Sequence, residues 1–227
     1  MYILSLTLYT SHLEEQKSFY QEVFNCKVLK ESEKSFEIGI GDSSLIFKEA
    51  KETFPYHFAI NIPSNKIEDA KVWLSNRVEL LQFEGKEIID FSAWNAEAIY
   101  FKDEDQNIVE FISRHNLNRL SDNKFDNNSL LNISEIGVPS IDINTLYQEL
   151  EKCNLPIYDG SMDRFCAVGD ENGLFICINH QKKKEWFPSS TFPHVIDFEL
   201  LMEHEKEKFK VVYQNGNLNI KKQVELK

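Results

Sequence analysis

Long apolar runs are missing from this 227-residue chain. Nothing approaches the ~20 consecutive apolar residues of a membrane-spanning helix, so no membrane attachment is expected. Also missing is a basic stretch followed by an apolar one at the start. The chain enters directly into the strand-like YILSLTLY, which gives no sign of a signal peptide and leads to the expectation of a cytoplasmic protein. Positive charge is scarce: 25 Lys and Arg stand against 37 Asp and Glu, a formal net charge of −12. That balance argues against non-specific nucleic-acid binding, which needs a basic surface to neutralise phosphate. The four cysteines, Cys26, Cys153, Cys166 and Cys177, have no C-x-x-C spacing. They read as reduced core residues rather than disulfides or zinc ligands. What is present, 42% hydrophobic and 27% charged residues, is the composition of a globular protein with one large or two modest domains.

Along the chain, one order of elements recurs. Tyr2 to Tyr9 has strand composition. Ser11-x-x-Glu14 has the form of a capping box, and Leu13 to Phe24 carries apolar residues at helical spacing. Three short strands follow, at Lys27–Leu29, Phe36–Ile40 and Ser44–Phe47, the last two joined by a Gly41-Asp42 turn. A second unit begins with the strand Tyr56–Ile62. Ser64 or Asn65 is placed to cap a helix with Ile67, Ala70 and Leu74 on one face. Val78–Leu81 and the two arms of AIYFKDEDQNIVEFI (residues 98–112) supply its strands, with Phe83–Trp94 as a polar excursion. Residues 114–130 read as a linker. A third unit starts at Asn132–Val138, has a helix capped by Ser140 or Asp142, and carries its own hairpin, FCAVGDENGLFICI. Acidic-turned hairpins at matching places in three units make an internal repeat. After Trp186, strands near Val195–Leu201 and a Phe209–Ile220 hairpin turning at Asn215-Gly216 form an abridged fourth copy.

The hairpin at 98–112 also contains the most conspicuous single residue. Strand alternation puts Glu110 on the same face as Ile108 and Ile112, and a carboxylate on an apolar face is costly unless paired, protonated or metal-bound.

A tandem βαβββ chain with LTLYTSHLEEQKSFYQEVF, YHFAINIP and YFKDEDQNIVEFI resembles the vicinal oxygen chelate superfamily: glyoxalase I, extradiol ring-cleaving dioxygenases, fosfomycin-resistance transferases and bleomycin-binding proteins. The resemblance covers residues 1 to about 113, with the third unit in support. It implies an α+β fold in which tandem βαβββ units form curled mixed sheets with helices outside. The expected division is 1–113 as a pair of units, 114–130 as linker, and 131–227 as the third unit with its abridged fourth.

The resemblance further implies a divalent metal (Fe, Mn or Zn) held by side chains from first strands and a last strand. His57 stands at the family's second-unit histidine position and Glu110 at its last-strand glutamate. Ser5 occupies the usual third-ligand position, where the family has His, and is a poor ligand. Leu45-Ile46-Phe47 has no counterpart of a further glyoxalase carboxylate. Glu135 lies near the first-strand position of the third unit, but Leu174–Ile178 offers no last-strand ligand there, so no second metal centre is expected in that unit. Taken singly, His57 reads better as a half-buried histidine bonded to backbone, and Glu110 as a carboxylate paired with Lys or Arg; their joint placement at both family positions favours a shared site. Trp94, Asn95 and Arg114 are candidate substrate-binding residues, Arg114 as a cation offered to an anionic ligand. Lys182-Lys183-Lys184 is too short and isolated to argue for phosphate binding.

The expected function is a metal-dependent enzyme that polarises adjacent oxygens of a small substrate for ring cleavage, isomerisation or addition. The alternative is a metal-free protein of the bleomycin-resistance type that sequesters a small molecule in an aromatic pocket. The expected partner is a small-molecule substrate or ligand, with a homodimer as an option.

Overall fold

The computed structural model describes residues 1–223. The first unit comprises β1 (Tyr2–Thr10), α1 (Leu13–Ser18), β2 (Val28–Ser32), β3 (Ser35–Ile40) and β4 (Ser43–Glu49). The second comprises β5 (His57–Ile62), α2 (Ile67–Ser75), β6 (Leu80–Leu81), β7 (Ile89–Phe91), β8 (Ala96–Lys102) and β9 (Ile108–Arg114). The third comprises β10 (Asn132–Ser140), α3 (Ile143–Glu151), β11 (Ile157–Ser161), β12 (Phe165–Asp170) and β13 (Gly173–Asn179). Strands β14 (Phe198–His204), β15 (Glu207–Gln214) and β16 (Asn217–Lys222) follow, with no helix among the described residues after β13. The β15–β16 turn has Asn215 at φ 50° and Gly216 at φ 78°, the two left-handed residues of the tight hairpin that Asn-Gly favours.

The strands form two mixed sheets. One runs β16-β15-β14-β1-β4-β3-β2, and the other runs β11-β12-β13-β10-β5-β9-β8-β6 with β7 alongside β8. The first and second units therefore do not share a sheet. β1 pairs antiparallel with β14 of the abridged copy, and β5 pairs antiparallel with β10 of the third unit. The outermost copies close on each other and the inner two do the same. This nesting places the end of the chain beside its beginning, and β14 supplies the partner that β1 would otherwise lack at an open edge.

One face of each sheet merges into a common core. Leu6, Leu8, Phe36 and Phe47 from the first sheet join Phe58, Ile60, Phe101 and Phe111 from the second, with Tyr20, Phe24, Ile67, Leu74, Ile143 and Leu150 from the helices between them. Helix starts differ from expectation in two cases. α1 begins after His12 with no side-chain cap, and α2 begins after Lys66, likewise uncapped, because the Ser64 hydroxyl donates to the Arg114 carbonyl (2.8 Å) instead. Asp142 does cap α3, accepting from the Asn144 and Thr145 amides. Beyond α1 the helix widens into a π-helical turn over Phe19–Val23. Its Tyr20 hydroxyl donates to Asp103 (2.9 Å), in the β8–β9 turn.

Asp103 is a buried polar tie between the first unit's helix and the second sheet. Buried at 2% exposure, it also accepts from Gln16 Nε2 (2.6 Å), the Asn107 amide (3.0 Å) and Asn107 Nδ2 (2.9 Å). Removing the acceptor strands buried donors, each costing about 1–3 kcal/mol. Asp103→Ala is expected to lower stability in urea unfolding by about 3 kcal/mol or more. Glu104→Ala, at its exposed neighbour, should stay within about 0.5 kcal/mol.

Candidate metal centre

The register of three adjacent strands assembles the site. In the β5–β9 ladder Ala59 lies opposite Glu110, and in the β5–β10 ladder Ala59 lies opposite Glu135. Side chains of directly opposed residues project from the same face, so Glu110 and Glu135 flank the small Ala59, and His57, two residues back, joins them. The three side chains are 8%, 4% and 3% exposed for His57, Glu110 and Glu135 respectively. A nitrogen of His57 and one oxygen of each carboxylate all lie within 4.8 Å of one another.

His57 is oriented by its backbone contact. Nδ1 faces the Ile108 carbonyl at 3.1 Å, so Nδ1 carries the proton and the Nε2 lone pair points at the carboxylates. Nε2 is 3.8 Å from Glu110 Oε2 and 3.9 Å from Glu135 Oε2. Those gaps are too long for hydrogen bonds. They suit donors that share one cation, with bonds of ~2.0–2.2 Å.

Each carboxylate has its own support. The Arg114 guanidinium donates through Nη2 to Glu135 Oε1, while its Nε and Nη1 have no hydrogen-bond partner among the described residues. The Tyr100 hydroxyl, directly across the β8–β9 ladder, hydrogen-bonds Glu110.

Burial sets the electrostatics. It pushes the His57 pKa down to about 4, against the pull of the Ile108 carbonyl and with help from the Lys183 charge. Burial first, then the Glu135 charge, raises Glu110 well above the usual carboxylate range, with Tyr100 and Arg114 opposing. Glu135 is raised by burial to about 6, with Arg114 holding it back. A neutral imidazole facing two desolvated carboxylates is a donor set whose ionised form needs a cation.

The triad lines a cavity of about 320 Å³. Its walls include Phe91, Trp94, Tyr100, Phe165, Trp186 and Phe187. Trp186, from the segment between β13 and β14, lies with its ring centre 5.1 Å from that of His57. Gly137 makes this approach possible: a Cβ there would sit 2.6 Å from Trp186 Cη2.

The structure brings His57 and Glu110 together. Ser5 lies in the other sheet, opposite Ser44 and Leu201, so the third donor beside them is Glu135 instead. Trp94 lines the cavity, its Nε1 donating to Asp159 (2.7 Å). Asn95 does not: it turns the chain at φ 47° and its amide donates to Asn116. Arg114 is enclosed, with Nη2 on Glu135, and is not among the residues that line the cavity. The signal for Glu135 was its position. Ser5 and Glu135 each lie eight residues before the first residue of the following helix, Leu13 or Ile143. What the sequence did not show was that the third unit pairs with the second.

No family model matches the chain, and no curated protein matches it in sequence. Solved structures do. A putative dioxygenase from Bacillus subtilis superposes at a TM-score of 0.63 and 12% identity, over 98% of this chain and 84% of that one. A V278E mutant of glyoxalase I from Zea mays superposes at 0.55 and 12%, over 93% and 88%. Another glyoxalase I structure from Zea mays gives 0.51 and 15%, over 78% and 66%. At these identities the likeness is one of fold.

The raised Glu110 pKa makes a signed prediction. The folded state holds this proton more tightly than the unfolded chain, so the metal-free protein loses stability as pH rises through and above the ordinary carboxylate value. Glu110→Gln removes the ionisable group at nearly constant shape. The melting temperature of the chelator-treated variant should therefore exceed wild type increasingly from pH 5 to pH 8.

Proposed function

The chain has the vicinal oxygen chelate fold, and from that premise we propose that it is a metal-dependent enzyme acting on a small substrate with two adjacent oxygens. His57, Glu110 and Glu135 would hold one divalent ion (Fe, Mn or Zn), a nitrogen–carboxylate set suited to these metals. Bound there, the ion supplies Lewis acidity to two neighbouring substrate oxygens, the step shared by ring cleavage, isomerisation and addition. The observation that carries this reading is the convergence of three buried donors, from three adjacent strands, in the lining of an aromatic cavity.

The chain's own residues do the remaining work. The Ile108 carbonyl fixes the His57 tautomer, and Arg114 and Tyr100 fix the two carboxylates. These contacts orient the donors in advance. Burial raises the Tyr100 pKa well above its ordinary value, so its hydroxyl stays a donor at neutral pH. Trp186, Phe187 and Phe91 give the cavity apolar walls.

A metal-free binding protein is the second reading. One observation favours it: Arg114 already neutralises Glu135, leaving an aromatic-walled pocket that could hold a ligand without an ion.

Elemental analysis of protein purified without chelator separates the two. The enzyme reading expects near-stoichiometric iron, manganese or zinc in wild type, lost in His57→Ala and in Glu135→Ala, with both variants still folded by circular dichroism. Protons compete for the two raised carboxylates, so metal affinity should fall by about tenfold or more per unit as pH drops below about 6. Metal-free wild type that takes up no added ion would leave the binding reading.

A further inference from the structure

In sequence Lys182-Lys183-Lys184 looks like one short solvated charge run, but the structure splits it. Lys182 pairs with Asp163 and Lys184 is exposed, whereas Lys183 is half-buried and lines the cavity. Its Nζ donates to the Glu185 carbonyl (2.9 Å) and lies 6.0 Å from the centre of the Trp186 ring. The same Trp186 ring lies 5.1 Å, centre to centre, from His57, so lysine and triad both border it.

No side-chain carboxylate lies within 4 Å of the Lys183 ammonium among the described residues. Nearby charges act in both directions: Arg164 disfavours the Lys183 cation and the Glu185 carboxylate, beyond 4 Å, favours it. Burial, and then Arg164, push the Lys183 pKa down. The acids that line the cavity are otherwise engaged. Asp159 accepts from Trp94 Nε1 (2.7 Å) and from the Gly160 amide (2.7 Å), and Glu110 and Glu135 belong to the triad. A half-buried ammonium lining an aromatic cavity, with no carboxylate within 4 Å among the described residues, is stabilised when an anion arrives.

We propose that Lys183 anchors a carboxylate of the ligand, so that the cavity takes a flat, mostly apolar molecule carrying one such group. Aromatic side chains supply flat walls, and the volume of about 320 Å³ fits a one- or two-ring body. The remaining oxygens of that ligand would face His57, Glu110 and Glu135. This last clause rests on the metal-centre reading, whereas the lysine contact does not.

The test is tryptophan-fluorescence titration with two probes of nearly equal shape, 2-naphthoate and the neutral 2-naphthylmethanol. It is run on chelator-stripped protein and on the same preparation after zinc addition, with zinc uptake measured separately. Lys183→Gln should weaken 2-naphthoate by about tenfold or more at low salt in both metal states, as expected for loss of a charge-assisted contact. Lys183→Arg should restore most of that affinity, and neither change should move 2-naphthylmethanol. Equal effects on both probes, no effect on either, or no binding of 2-naphthoate to wild type would overturn the assignment. Absent zinc uptake would overturn the metal reading alone and leave the lysine result standing.

Discussion

The ion pair between Arg114 and Glu135 is the contact on which the site depends. It joins the last strand of the second unit to the first strand of the third, beside the cavity, with both partners enclosed. Removing water from a carboxylate costs several kcal/mol, and here two carboxylates share one small volume with a neutral histidine. Arg114 compensates one of them. Glu110 has a tyrosine hydroxyl and no cation within 4 Å among the described residues. That imbalance is what a bound dication would relieve.

Unit pairing explains why the site is where it is. Because β5 lies between β9 and β10, the second unit contributes a first-strand histidine and a last-strand glutamate, and the third contributes only a first-strand glutamate. The other sheet repeats the arrangement with different chemistry. Ser5 occupies the position equivalent to Glu135, and nearby Glu199 is consumed by Lys48 (3.0 Å), Lys210 (2.8 Å) and the Tyr9 hydroxyl (3.2 Å). Those contacts hold the Glu199 pKa down to about 2, the opposite of Glu110 and Glu135. On that sheet the carboxylate is a settled surface ion pair, whereas on the other sheet both carboxylates are desolvated and only Glu135 has a cationic partner, Arg114.

Strand and helix order was legible from the sequence because apolar alternation, acidic turns and Asn-Gly are local signals. His57 and Glu110 stood out for the same reason, each being a polar residue in an apolar strand. Pairing between units was not legible, since every first strand is apolar enough to sit beside any other. Sequence position alone therefore points to Ser5 as the third donor and places Glu135 in a separate unit. The roles of Arg114, Lys183 and Trp186 were hidden too. Each depends on where a loop or strand end lands after the sheets have closed, and a lysine run gives no sign of which member turns inward.

Crystals grown with Mn(II) and measured for anomalous scattering test the central claim most directly. The account predicts a single strong peak bonded to His57 Nε2, Glu110 and Glu135 at ~2.0–2.2 Å, with Arg114 still on Glu135. No peak there, or one bound elsewhere while His57 and the two glutamates keep their present separations, would contradict it.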